Sequence, residues 1–117
     1  MTTTLTQRAD VLRAVDEFIA FLNARIAEHR AAHAWTANPA TYKVGGGRKY
    51  IRIEEVAQPY GGRRVHCFVD AETGGVYKAA SWFRPALNGE RFNLLDPLSV
   101  AHLKHDWDPC GFYLYKR

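Results

Sequence analysis

Disulfide frameworks, membrane spans, repeats and catalytic signatures are all missing from this 117-residue sequence. Its two cysteines, Cys67 and Cys110, are too few for a disulfide scaffold. No run approaches the ~20 consecutive apolar residues that cross a bilayer. No charged segment followed by an apolar one marks a leader at the start. These absences predict a cytoplasmic chain with reduced thiols and no membrane partner. Without an internal repeat or a low-complexity linker, residues 1–117 read as a single domain, large enough for a modest core without staples.

Catalytic and metal patterns are equally scarce. Ser81 lacks a nucleophile-elbow context, and no paired carboxylates stand out. Alternation along a strand puts Val65, Cys67 and Val69 on one face and His66 on the other, a poor geometry for a Cys–His pair. His29 and His33 are four apart, and His102 and His105 three apart with Asp106, Asp108 and Cys110 just beyond. Neither set follows a recognised ligand pattern, so solvated histidines and no metal are expected. Gly45-Gly46-Gly47-Arg48-Lys49 lacks the spacing and terminal Ser/Thr of a Walker motif and precedes a strand, so it reads as a flexible hairpin. A protein without enzymatic activity or cofactor is the expectation.

What the sequence does have is an uneven charge. Its formal net charge is +4, yet residues 1–42 and 92–117 are each balanced. All the excess falls in residues 43–91, where Lys43, Arg48, Lys49, Arg52, Arg63, Arg64, Lys78, Arg84 and Arg91 face five acidic groups. Such a segment attracts phosphate-bearing ligands.

The pattern of apolar residues predicts an α+β fold, with a long N-terminal helix packed on a small antiparallel sheet and a short C-terminal helix. Val11, Val15, Phe18, Leu22 and Ile26 form one helical stripe within 1–36. Thr4 or Thr6 is the expected N-cap, Asp10 lies near the positive end, and Arg13 is spaced to pair with Glu17. A helix of ~40 Å would overhang a domain of about 30 Å, so a partner subunit, and hence a homo-oligomer, is expected to cover the excess stripe. Residues 40–96 read as the antiparallel sheet and a basic aromatic loop. Within them, Ile51 and Ile53 alternate with Tyr50, Arg52 and Glu54, and a hairpin at 70–75 uses Asp70 for local hydrogen bonds. Residues 81–95 show no period. Asp96-Pro97 opens the short helix of 97–117, and 112–115 read as a terminal strand.

The loop from Ser81-Trp82-Phe83-Arg84-Pro85 to Arg91-Phe92-Asn93 is the leading ligand candidate. Aromatic faces stack on bases, arginine forks grip phosphates, and Asn reads a base edge. Arg48 and Lys49 add charge after the glycines.

Gly47-Arg48-Lys49-Tyr50, Val65-His66-Cys67-Phe68-Val69-Asp70, the run from Thr73-Gly74-Gly75-Val76-Tyr77-Lys78 to Ser81-Trp82, Pro85-Ala86 and Arg91-Phe92-Asn93 carry a resemblance. Together they resemble a family of small uncharacterised bacteriophage proteins over roughly residues 47–96. The resemblance implies a helical N-terminal part and points to Lys78, Ser81, Trp82, Arg91 and Asn93 as function-bearing. Phe83 and Leu87 stand where the family carries lysines; Arg84 replaces one of those charges at a shift of one position.

The combined expectation is a phage accessory protein that binds an anionic nucleotide-like small molecule in the host cytoplasm. Its concrete form is a counter-defence protein that sequesters a host immune nucleotide signal. The predicted ligand set is Arg48, Lys49, Lys78, Ser81, Trp82, Arg84, Arg91, Phe92 and Asn93. Two alternatives use the same groups: a DNA- or RNA-binding accessory protein, and an inhibitor that docks its aromatic loop on a host protein.

Overall fold

Val11, Val15, Phe18, Leu22 and Ile26 are all buried along one side of helix α1 (Thr4–Ala32). Each side chain of this kind stabilises the fold by about 1.5–3 kcal/mol when fully removed from water. The computed structural model describes residues 4–32, 40–57, 62–108 and 111–115. The predicted helix residues 33–36 and the second histidine of the first pair, His33, lie outside them. Arg13 pairs with Asp10 at 3.4 Å, on the previous turn, and not with Glu17.

The sheet has five strands in chain order, β1 (Ala40–Val44), β2 (Tyr50–Ala57), β3 (Arg63–Asp70), β4 (Gly75–Tyr77) and β5 (Phe92–Asn93), all antiparallel. Its α1-facing side carries Ile51, Ile53, Cys67, Val69 and Val76, which join the helix stripe in one core. The edge strand β1 is fastened by Asn23. That amide donates to the Tyr42 carbonyl at 3.1 Å and accepts from the Tyr42 N–H at 2.7 Å. Helix α2 (Pro97–Asp106) and Trp107 close one end with Leu103, beneath an Asp96 cap that accepts from Leu98 N–H at 3.1 Å. At the hairpin before β4, Asp70 Oδ1 accepts from the N–H groups of Glu72 and Thr73, as its turn position predicts.

The α+β architecture is as expected, but several parts differ. Residues 112–115 do not form a terminal strand. Gly111 adopts a left-handed φ of 81°, and the Asp108 carboxylate accepts from Phe112 N–H (3.1 Å) and Tyr113 N–H (2.8 Å). The chain is thereby coiled into the 3-10 turn η1 (Phe112–Leu114). Conversely, the aperiodic stretch 81–95 contains β5, only two residues long and too short to show a period. The α1 stripe, which was the ground for expecting a homo-oligomer, is covered within one chain.

A register shift where β2 meets β3 matters most. Ile53 lies opposite Cys67, while Glu54 lies opposite Val65, so His66 is the extra residue of a bulge. The bulge breaks the alternation that would have pointed His66 away from the core. Its ring instead meets Tyr42 edge-on, with centroids 5.0 Å apart, and its Nε2 lies 2.5 Å from the Tyr113 hydroxyl.

Candidate nucleic-acid interface

Alternation in β2 puts Tyr50, Arg52 and Glu54 on the sheet face turned away from α1, and cross-strand pairing adds Phe68 and Tyr77 beside Arg52. Glu54 is only 2% exposed, an unusual place for a carboxylate. Two cations offset its burial: Arg52 Nε at 2.9 Å from Oε2 and Arg63 Nη1 at 3.9 Å from Oε1. Space for it depends on Gly45, where any Cβ would stand 2.0 Å from Oε2.

The Arg52 guanidinium in turn lies against the Trp82 ring, 4.4 Å from its centroid. Glu54, Arg52 and Trp82 thus form a ladder from the buried sheet to the surface, a cation–π contact whose cation is itself held by a carboxylate. Around Trp82 the backbone closes tightly. Ala80 and Ser81 N–H groups donate to the Arg84 carbonyl at 2.9 and 3.2 Å, and Ser81 Oγ accepts from Phe83 N–H at 3.2 Å. The turn therefore pegs Trp82 to the sheet and leaves Phe83 79% exposed beside an exposed Arg84.

The predicted residues do not converge on one pocket. Ser81, Trp82 and Arg84 share the turn just described, with Ser81 serving it structurally. Arg48 and Lys49 occupy the glycine turn between β1 and β2, and a Cβ at Gly46 would lie 3.6 Å from Arg52 Nη2, so that turn borders the ladder. Arg8 of α1 fixes it by donating to the Arg48 carbonyl at 2.7 Å, while the Arg48 side chain stays exposed. Lys78 lies elsewhere, its ammonium over the Tyr115 ring at 4.7 Å.

Arg91, Phe92 and Asn93 are largely committed to the fold. Arg91 donates to Leu114 O (2.7 Å), Gly89 O (2.5 Å) and Asn88 Oδ1 (3.3 Å), clamping η1 to the loop. Phe92 packs on the core and on Tyr113. The Asn93 amide donates to Thr73 O and Glu90 Oε1 and accepts from Leu95 N–H, so its hydrogen-bonding edge holds a turn instead of a base. A cleft of about 550 Å³ beside them is lined, among the described residues, by Glu90, Asp96 and Asp106 against Arg91, with His102 among its walls. That balance of charge is poor for a polyphosphate. Among the described residues no three His, Cys, Asp or Glu side chains converge on a possible metal site.

Residues absent from the predicted set are Phe83, Arg52, Lys43 and Arg63. Lys43 pairs across the sheet with Glu54 and Arg63 with Val56, which places both on the ladder's face. Alternation in β2 contained the signal for Arg52; nothing local marked Lys43 or Arg63. No helix among the described residues is long and apolar enough to cross a membrane. Neither the curated proteins nor the solved structures contain a match to this chain. A family profile does match, over residues 1–116, and the chain belongs to that family, the family of unknown function DUF7717.

Proposed function

We propose that this protein binds single-stranded nucleic acid across the outer face of its sheet. The observation that carries the reading is the Glu54–Arg52–Trp82 ladder, which holds an aromatic turn rigid and presents Phe83 and Arg84 to solvent. A turn backbone fixed before binding has less freedom to lose, so more of the stacking energy at Phe83 appears as affinity. Lys43 and Arg63 share the ladder's face, Arg84 is exposed on its turn, and Arg48 and Lys49 are exposed on the glycine turn that borders the ladder, cations suited to a phosphate chain. A polyphosphate asks for an excess of cations in its cleft, whereas among the described residues lining the larger cleft three carboxylates, Glu90, Asp96 and Asp106, face Arg91.

Fluorescence anisotropy with labelled single-stranded DNA and RNA tests this. Phe83→Ala is expected to weaken binding by about 1–3 kcal/mol, the range of one lost base stack, without lowering the melting temperature. Arg52→Met should weaken binding through Trp82, which it supports but does not replace. Absence of oligonucleotide binding together with a melting shift from one mononucleotide would overturn the reading in favour of small-nucleotide sequestration. Binding of neither, with a host protein captured through Phe83, would favour the inhibitor role.

A further inference from the structure

Strand β4 pairs with β3 only at Phe68 and Val69, and beyond Tyr77 the chain leaves the sheet. The uncovered edge of β3 forms the wall of a second cleft of about 190 Å³, lined by Arg64, His66, Lys78, Gly111 and Tyr115 with Glu55 at one side. We propose that this cleft is a binding site for a small tetrahedral oxyanion, held by Lys78, Arg64 and the imidazole of His66. The site is separate from the outer-face ladder and does not depend on the nucleic-acid reading.

Three features support it. Charge comes first: among the described lining residues Arg64 and Glu55 pair at 3.0 Å, which leaves the Lys78 ammonium as the cation there without a carboxylate partner. The Lys78 ammonium is steadied over the Tyr115 ring, 4.7 Å away, so it lies at the cleft in a restricted position. A directed donor comes second. The Tyr113 hydroxyl is buried, its pKa is raised mainly by that burial, and its only hydrogen-bond partner among the described residues is His66 Nε2. The phenol keeps its proton, and in the tautomer in which it donates to Nε2 the ring's own N–H lies on Nδ1. A Cβ at Gly111 would lie 3.7 Å from Cε1 and 3.9 Å from Nδ1, so the lack of a side chain at Gly111 keeps that edge of the ring accessible from the cleft. Size comes third. The volume is well below the ~300–1,000 Å³ of sites for drug-sized ligands, but it admits a phosphoryl group.

The tetrahedral group has two sources, free phosphate or the terminal phosphate of a larger molecule. The experiment is a titration of the full chain with inorganic phosphate and, separately, with adenosine monophosphate, followed by the His66 imidazole NMR signals. Saturable movement is expected, with affinity for phosphate reduced about tenfold or more in Lys78→Gln, equivalent to about 1.4 kcal/mol. Lys78→Arg should retain most of the affinity, and Arg84→Ala on the outer face should leave it unchanged. Equal affinities would identify free phosphate as the ligand; tighter monophosphate binding would identify a terminal phosphate. Non-saturating movement, or saturation unaffected by Lys78→Gln in a folded variant, would overturn the proposal.

Discussion

At His66 the fold holds a neutral imidazole. Burial, and then the nearby Arg64 charge, lower its pKa to about 4 from an ordinary 6.5. Above the ordinary value neither the folded nor the unfolded chain carries the proton, and the full stability is present. As pH falls below 6.5 the unfolded chain binds the proton first, so stability should decline until the folded-state value near 4 is reached. The slope is expected to be up to about 1.4 kcal/mol per pH unit from this residue. Urea unfolding at a series of pH values should show that slope in the native protein and a flatter profile in His66→Gln between pH about 6.5 and 5. An unchanged slope would assign the dependence to other groups. Asp70 and Asp96 were legible as turn and cap because their partners lie two or three residues away in sequence. His66 and Glu54 were not, because a bulge turns one inward and a cross-strand arginine and the Gly45 turn, added to Arg52 on its own strand, enclose the other.

Among the elements, α1 is the one most fully written in the sequence. Its stripe at spacings of four and three residues is the buried stripe of the structure, and Asp16, Glu17 and Glu28 between stay outward, while Asn23 reaches β1. Leu22 has no exposure whereas Leu12 is 47% exposed, so the same substitution should divide sharply between them. Leu22→Ala is expected to destabilise by about 2–5 kcal/mol, and Leu12→Ala by about 0.5 kcal/mol or less, both measurable by chemical unfolding. Comparable losses at the two sites would contradict the placement of the helix. The short elements were less legible. Two residues cannot display alternation, so β5 gave no signal, and η1 depends on the Asp108 carboxylate reaching two N–H groups ahead of it. Phe112, Tyr113, Leu114 and Tyr115 contain enough aromatic and apolar character to imitate a strand when that carboxylate is left out of account.

For the whole molecule, the decisive property is how positive charge is distributed around the sheet. Cations scattered over an open face should release counterions when a strand of nucleic acid binds. The logarithm of the affinity is then expected to fall linearly with the logarithm of salt concentration, with a slope of about −0.7 for each phosphate neutralised. Arg84→Ala should reduce that slope by about 0.7, whereas Phe83→Ala should lower affinity and leave the slope intact. A salt-independent affinity would argue for a ligand with few phosphates. The fold class, the long helix, most strand positions and the basic middle segment follow from periodicity, local turn chemistry and composition. Which charged residues share a face, the use of Arg91 and Asn93 in internal hydrogen bonds and the inward turn of His66 emerge once the chain is folded. Register, bulges and loop closure bring together residues far apart in the chain, and no local pattern records those distances.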